Sequence, residues 1–214
     1  MNTPAKINER SPQILLETDD LLLKKAEFED WRAMYRNVWS RPETAEFMAW
    51  RVTENETDAK GRIQRTIKYQ KTHDTYLVYE KKSGQAIGFA GVEEIRPHIY
   101  QDASIALGPE YVGKGYGKQI LQRLLKYCRS LGGKEFYYST RAKNTASKAL
   151  ALSCGFTYQR TEQKIDLRTG EPYELEIYQT NSEAFVIFGC SRLYMTASFS
   201  ASSLLGRYMT AHKE

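Results

Sequence analysis

The sequence LGPEYVGKGYGKQILQRLL, residues 107–125, decides the fold because three glycines stand directly ahead of a predicted helix. Gly113, Gly115 and Gly117 alternate with larger residues where the first helical turn should begin. Apolar residues then follow at the spacing of one helix face: Ile120, Leu121, Leu124, Leu125, Cys128 and Leu131. A glycine within a helix costs roughly 0.5–1 kcal/mol relative to alanine, so a function should offset that cost.

The glycines indicate a turn that binds a diphosphate group. Backbone N–H groups at a helix N-terminus have no partner within the helix, and the helix dipole there favours an anion. Lys114 and Lys118 add positive charge to the same turn. We therefore predict an anion-binding turn between a strand that ends at Leu107 and a helix that begins near Gly115. A plain flexible connection is the alternative.

Two known phosphate-binding motifs do not fit this turn. The dinucleotide-binding motif is G-x-G-x-x-G, whereas the glycines here are spaced G-x-G-x-G. The stretch GPEYVGKG, residues 108–115, follows the P-loop pattern up to its last position. There Gly115 replaces the hydroxyl residue that would hold Mg²⁺, so nucleotide hydrolysis is disfavoured.

Length and composition predict a single globular domain with a basic surface. The 214 residues are 41% hydrophobic and 27% charged, which is ordinary for a globular chain with a real core. The formal net charge of +5 favours anionic ligands. Basic residues are scattered among acids without a dense tract, so we do not expect nucleic acid to be the main partner.

Nothing in the sequence predicts secretion, a membrane span or a metal site. No apolar run approaches the length of about 18 residues that a membrane span needs, and residues 1–13 lack an apolar signal core. The three cysteines, Cys128, Cys154 and Cys190, are widely spaced and odd in number. That pattern favours reduced thiols over disulfides or metal ligands. We therefore expect a cytoplasmic protein.

Periodicity predicts a mixed α/β fold around one central sheet. A strand over residues 20–26 precedes a helix over 28–39 and a polar helix from Thr53 to Gln70. The later elements follow in this order: a hairpin over 74–94, a strand over 102–108, the helix after the glycines, a strand over 135–140, a helix over 144–153, and two strands around the turn RTGEP. We predict a mostly antiparallel sheet of about six to seven strands flanked by helices.

The chain divides into an N-terminal tail (1–13), one domain (14–180) and a C-terminal extension (181–214). Residues 184–188 of the extension, AFVIF, are too apolar to be exposed and too few to span a membrane. We predict that this run is buried on the domain's own sheet or across a partner subunit, which makes a homodimer possible. A disordered or non-native extension is the alternative.

Three stretches together resemble the GNAT superfamily of acyl-CoA-dependent N-acyltransferases: PEYVGKGYGKQILQRLL, NTASKALALSCGF, and the paired strands around RTGEPYELEIYQ. The opening LLETDDLLLKKAEFED is similar to the start of the ribosomal-protein N-terminal acetyltransferase branch. The resemblance covers roughly residues 14–180 and implies a GNAT-like fold, acetyl-CoA as the acyl donor and an amine acceptor.

The resemblance also implies which residues bind the donor. The family's loop usually reads [Q/R]-x-x-G-x-G, and Val112 departs from it at the first position. Because backbone amides do most of the binding, this departure matters little. The implied cofactor-binding residues are Leu107, Val112, Gly113, Lys114, Gly115, Tyr116, Gly117, Lys118 and Asn144. Asn144 would also cap the following helix.

Acyl transfer to an amine needs a polarised carbonyl, a base, and stabilisation of the departing thiolate. We expect a backbone N–H near residues 106–108 to polarise the carbonyl. Asp102 matches a position where the branch often has glutamate, and it is the first candidate for the base. Glu93 and Glu94 are further candidates, but each of these three carboxylates could equally be a solvated residue at a strand end.

The thiolate partner implied by the resemblance is Ser147, in the Asn-x-x-Ser motif. Its alternative is an ordinary polar residue in a first helical turn. Many GNAT enzymes instead use a tyrosine at the position of Ala151, so that role cannot be transferred. Cys154 is expected to pack in the core rather than to act as a nucleophile, because no histidine lies near it in sequence.

These observations predict an N-acetyltransferase that moves an acetyl group directly from acetyl-CoA to a primary amine. The acceptor could be a protein N-terminus, a polyamine or other small amine, or an aminoglycoside. Glu43 and Glu46 lie where acceptor loops usually fall and could attract a cationic amine. The alternative function is a non-catalytic acyl-CoA-binding module whose C-terminal extension is an interaction arm.

Overall fold

The computed structural model describes residues 15–181. The N-terminal tail, Cys190, the run AFVIF and all but the first residue of the C-terminal extension lie outside the described residues. The burial and the homodimer predicted from that extension therefore stay predictions.

One sheet forms the centre of the described region. Its eight strands, in chain order, are β1 (Leu16–Glu17), β2 (Leu21–Lys24), β3 (Thr75–Glu80), β4 (Ala86–Arg96), β5 (Ile99–Leu107), β6 (Glu135–Arg141), β7 (Thr157–Ile165) and β8 (Pro172–Asn181). They lie in the order β1-β2-β3-β4-β5-β6-β8-β7. All neighbours are antiparallel except β5 and β6. The predicted mixed α/β fold is confirmed, with one or two strands more than expected.

Helices cover both faces of this sheet. They are α1 (Trp31–Met34), which continues as a π-helical turn (Tyr35–Trp39), α2 (Pro42–Ala45), α3 (Glu56–Gln70), α4 (Tyr116–Ser130) and α5 (Thr145–Ser153). The apolar face predicted for α4 is buried against one side of the sheet, together with residues of α5. A second cluster of buried residues joins α1 and α3 to the other side. No helix in residues 15–181 is long and apolar enough to cross a membrane.

The start of α3 differs from the prediction. Asn55, not Thr53, is the N-cap, and its side-chain oxygen accepts the Asp58 N–H at 2.9 Å. Asn55 has the extended backbone of a cap residue, and the Asp58 N–H is one of the helix's unpaired donors. The Thr53 hydroxyl instead accepts a hydrogen bond from Arg62 at 3.0 Å. Both residues are good caps by type, so composition alone could not choose between them.

The feature of the fold that creates a site is the divergence of β5 from β6. The two strands pair only from Ile99 to Gln101 on β5. Just beyond, Ser104 has a left-handed φ of 76°, and the register of β5 against β4 shifts between Asp102 and Ile105. Such a bulge bends a strand and increases its twist. A gap therefore opens between β5 and β6 in the middle of the sheet.

Candidate active site

The glycine turn between β5 and α4 has a left-handed backbone at two of its three glycines. Gly113 and Gly115 have φ values of 76° and 80°, and Gly115 is the N-cap of α4. Other L-residues rarely adopt these angles. A Cβ added at either position would meet nothing within 4 Å, so both glycines face open space. A ligand can therefore approach the backbone closely at this turn.

Gly117 differs from the other two glycines because it packs against a neighbouring helix. Its φ is not left-handed, and an added Cβ would lie 3.3 Å from Leu150 Cδ2 on α5. The small residue lets α4 and α5 pack closely at the end where the turn lies. The alternating glycines thus combine two needs, a left-handed turn and a helix contact.

A groove of about 920 Å³ runs from this turn to the gap between β5 and β6. Most of the predicted site residues line it: Glu93, Asp102, Leu107, Val112, Gly113, Gly115, Gly117, Lys118, Asn144 and Ser147. Lys114 and Tyr116 do not. The Lys114 ammonium lies 5.0 Å from the Tyr111 ring centre, and the Tyr116 hydroxyl donates to Glu80 at 2.9 Å. The donor-binding roles of Lys114 and Tyr116 stay predictions.

The first turn of α5 brings a serine hydroxyl to the groove. The Asn144 side chain caps the helix by accepting the Ser147 N–H at 3.0 Å. The Ser147 hydroxyl lies 2.8 Å from the hydroxyl of Tyr138 on β6. Burial, and the nearby Asp102 carboxylate, raise the pKa of Tyr138, so its hydroxyl stays protonated. When Tyr138 donates to Ser147, the Ser147 proton is free to point into the groove.

Tyr138 was not predicted from the sequence. It is one of two neighbouring tyrosines in EFYYST, and residue type alone does not distinguish them. Alternation along β6 was the only available signal, because it buries Phe136 and Tyr138 on the side of α5. The partner of Tyr138 comes from a separate helix, which local sequence does not reveal.

Asp102 lies at the gap between the diverging strands. Its Oδ1 accepts the N–H of Ser139 on β6 at 2.9 Å, so the carboxylate bridges strands that no longer pair directly. Burial raises the pKa of Asp102 to about 6, although hydrogen bonds from the Ser139 and Ser104 backbone act in the opposite direction. Asp102 is therefore largely ionised at neutral pH yet basic enough to accept a proton.

The other predicted carboxylates have different surroundings. Glu93 is exposed opposite Gln101, whose amide donates to it at 3.2 Å, and it lines the groove. The register places Glu93 on the opposite sheet face from Asp102, because Asp102 pairs with Val92. Glu94 accepts the His98 N–H at 2.9 Å and is not among the lining residues.

Backbone amides of β5 divide between β4 and the gap. The Gly108 N–H donates to the Ile87 carbonyl at 2.9 Å. Because amides along an antiparallel strand alternate in direction, the Ala106 N–H also faces β4 and the Leu107 N–H faces the gap. Of the backbone N–H groups at residues 106–108, only that of Leu107 is therefore placed to donate to a thioester carbonyl in the gap.

A second cavity, also of about 920 Å³, joins the groove at the β5 bulge. Both cavities share the bulge residues Ala103 and Ser104, together with Tyr69 of α3. The second cavity extends from there along α3 and under residues 48–54. Two reactants could thus enter from different sides and meet at the bulge.

The segment that covers the second cavity is held by the turn between β7 and β8. Arg168 of that turn donates to the carbonyls of Ala45 and Trp50 at 3.4 and 3.2 Å. The buried Asp166 carboxylate pairs with Arg168 and Arg141, at 2.8 and 2.7 Å. Hydrogen bonds from these two guanidinium groups hold the pKa of Asp166 well below its usual range.

Several residues considered from the sequence are not at the site. Glu43 and Glu46 line neither cavity, and Glu43 pairs with Arg41 at 3.7 Å. Ala151 and Cys154 belong to the buried core, as expected for Cys154, and burial raises the pKa of the Cys154 thiol. Among residues 15–181 no group of three or more His, Cys, Asp or Glu is placed to hold a metal ion.

Comparison with known proteins decides the family. Residues 20–157 match the acetyltransferase (GNAT) domain. The chain belongs to the GNAT acetyltransferase family. This membership confirms the predicted family and the predicted fold.

A curated relative is N-alpha-acetyltransferase RimI of Mycobacterium tuberculosis (strain ATCC 25618 / H37Rv). It is 32% identical to this GNAT chain over 99 residues, which are 45% of this chain and 56% of the relative. The chain thus spans little more than half the length of that relative.

Two solved structures show the same fold. Microcin C7 self immunity acetyltransferase MccE, in complex with acetyl-CoA and AMP, has a TM-score of 0.67 at 21% identity, covering 77% of this GNAT chain and 93% of its own. RimL, a ribosomal L7/L12 alpha-N-protein acetyltransferase in complex with coenzyme A, has a TM-score of 0.67 at 20% identity, covering 80% and 99%.

Proposed function

We propose that this protein transfers the acetyl group of acetyl-CoA to the N-terminal amine of a peptide or protein. The observation that carries the proposal is the meeting of two cavities at the β5 bulge, next to Asp102. One contains the glycine turn and fits the donor substrate. The other, of about 920 Å³, extends along α3 and under residues 48–54 and offers more room than a small amine needs.

The donor half of the reaction rests on backbone and on one serine. The amides around Gly113 and Gly115 bind the pyrophosphate of acetyl-CoA, helped by the charge of Lys118. The Leu107 N–H faces the gap and polarises the thioester carbonyl. Ser147, oriented by Tyr138, donates a hydrogen bond to the departing thiolate. The Ser147 hydroxyl thus replaces the tyrosine that many GNAT enzymes have at the position of Ala151.

The acceptor half rests on Asp102. An amine must be neutral when it attacks, and a carboxylate with a pKa of about 6 can take its proton directly or through one water. Glu93 lies across the sheet and is the second candidate for this role. Attack forms the amide bond and breaks the thioester in one ternary complex, so no acyl-enzyme is formed. The buried Cys154 is consistent with direct transfer.

The N-terminal amine is favoured over a polyamine or an aminoglycoside by the second cavity's charge. Its lining includes three arginines and two acids: Arg51, Arg62, Arg65, Glu54 and Asp58. A polycation would be repelled by that excess of positive charge. The relative RimI is by name an N-alpha-acetyltransferase, which agrees with this choice. The cytoplasmic location stays a prediction from the sequence.

The test is coenzyme A release with acetyl-CoA and three acceptor panels: short peptides with free N-termini, polyamines and aminoglycosides. We expect turnover with peptides, no turnover with the same peptides after N-terminal blocking, and acetylation of the α-amine by mass spectrometry. Acetyl-CoA binding without turnover on any amine would contradict the proposal and support the non-catalytic binding module.

Removal of the Ser147 hydroxyl should slow the chemical step. A hydrogen bond to a charged group is worth about 1.5–3 kcal/mol, so Ser147→Ala should lower kcat by about 10- to 100-fold with acetyl-CoA binding largely kept. Tyr138→Phe should have a smaller effect in the same direction, because it removes the hydrogen bond that orients the Ser147 hydroxyl but keeps the hydroxyl itself. Single-turnover kinetics and calorimetry provide the two measurements. An unchanged rate of the chemical step in Ser147→Ala would remove Ser147 from the mechanism.

A further inference from the structure

We propose that the second cavity selects acceptors with an acidic side chain near the reacting amine, bound by Arg62 and Arg65 of α3. This inference rests on the proposed function, because it names the class of peptide that the acceptor cavity takes. Both arginines line that cavity, and they lie one helical turn apart on the same face of α3.

Arg62 is held rigidly by two aromatic rings. Its guanidinium carbon lies 4.7 Å from the ring centre of Trp39 and 4.2 Å from that of Trp50. One of its nitrogens donates to the Thr53 hydroxyl at 3.0 Å. A guanidinium has five N–H donors in a planar fork, so the hydrogen bond to Thr53 leaves other N–H groups of Arg62 able to bind a ligand. A guanidinium fixed in this way is prepared to bind a carboxylate with little further loss of entropy.

Two acids lie near this pair of arginines without forming an ion pair with it. No ion pair joins Arg62 or Arg65 to a carboxylate among residues 15–181. Burial, with the nearby charge of Arg65, lowers the pKa of Arg62 to about 10. Glu54 and Asp58 line the same cavity, but Asp58 accepts a hydrogen bond from Asn55 at the start of α3. An arriving anion would relieve the repulsion between the two arginines.

The position of the arginines predicts where the acidic residue stands in the acceptor. Tyr69 lines both cavities and marks their junction on α3. Arg65 and Arg62 precede Tyr69 by four and seven residues, or about 6 and 10 Å along a helix that rises 1.5 Å per residue. An extended peptide advances about 3.3 Å per residue. The acidic side chain therefore belongs to the second, third or fourth residue of the acceptor.

The experiment measures kcat/KM for matched tetrapeptides with a free N-terminal serine. Aspartate, asparagine or lysine occupies the second, third or fourth position, with alanine elsewhere. We expect at least one aspartate peptide to exceed its asparagine counterpart by about tenfold, with lysine lowest, and the difference to shrink as salt is raised. Equal values for aspartate and asparagine at all three positions, with turnover present, would overturn the inference and leave the proposed function intact.

Variants of α3 test the residues themselves. Arg65→Gln should reduce the preference for aspartate severalfold, and Arg65→Glu should shift it toward lysine. Lys68→Gln is the matched control, because Lys68 is an exposed cation of the same helix outside both cavities. Arg62→Gln should remove most of the preference, with its melting temperature measured because Arg62 also packs between two rings. An aspartate preference unchanged in Arg65→Gln and Arg62→Gln would overturn the assignment, as would an equal loss in Lys68→Gln.

Discussion

Replacing Asp102 with asparagine is expected to lower kcat by about 10²- to 10⁴-fold, the usual contribution of a positioned base. Asparagine keeps a carbonyl oxygen that can accept the Ser139 N–H, so the link between β5 and β6 should survive. What is lost is the group that takes the proton of the amine. The measurement is single-turnover acetylation of a peptide, with acetyl-CoA affinity determined in parallel.

The pH dependence of the same pair of proteins provides the control. Below a pKa of about 6 the Asp102 carboxyl is protonated and cannot act as a base. The acceptor α-amine has an ordinary pKa of about 7.7–8.0 and loses its neutral form below it, so both proteins should share that pH dependence. The kcat/KM of the wild type should fall by a further tenfold per pH unit below about pH 6, and the variant should lack this additional decrease. An additional decrease near pH 6 that persists in Asp102→Asn would assign the base to Glu93 or to water.

Stability should change in the opposite sense from activity. The pKa of Asp102 is raised in the folded protein, so folding takes up a proton between the unfolded pKa of about 3.9 and the folded pKa of about 6. The carboxylate thus makes the fold less stable above pH 6 than below pH 4. Removing the charge should leave the melting temperature at pH 8 unchanged or higher, which separates lost chemistry from lost structure.

Local sequence predicted those parts of the site that depend on local backbone chemistry. The start of α4 just after the glycines and the Asn144 cap follow from rules that operate within a few residues. The buried face of α4 follows equally from its period. Each of these features depends on residues close together in the sequence, and each is present in the structure.

The remaining parts of the site depend on contacts between distant segments. Ser104 adopts a left-handed φ although serine has no preference for it, at the bulge in the pairing of β5 with β4. Tyr138 meets Ser147 only through the packing of α5 on β6. Arg62 was one of several basic residues in a polar helix, and its distinction comes from two tryptophans 23 and 12 residues before it. The periodicity of a single segment does not reveal these contacts between segments.

Replacing Gly115 with valine is the sharpest test of the donor turn, and acetyl-CoA affinity should fall by about 100-fold or more. The left-handed φ of 80° is unfavourable for an L-residue by about 1–2 kcal/mol, and a β-branched side chain adds to that strain. The valine would also project into the open space of the turn, where an added Cβ meets nothing within 4 Å. Either the turn changes shape or the side chain blocks the pyrophosphate, and both weaken binding as measured by calorimetry.

The matched control for that variant is Gly84→Val in the turn between β3 and β4. Gly84 has a left-handed φ of 67°, and an added Cβ there also meets nothing within 4 Å. The backbone strain is therefore comparable, but Gly84 lines neither cavity. Both variants should lower the melting temperature by similar small amounts, and only Gly115→Val should weaken acetyl-CoA binding. Equal acetyl-CoA affinities in the two variants would mean that Gly115 is needed for the backbone turn and not for binding acetyl-CoA.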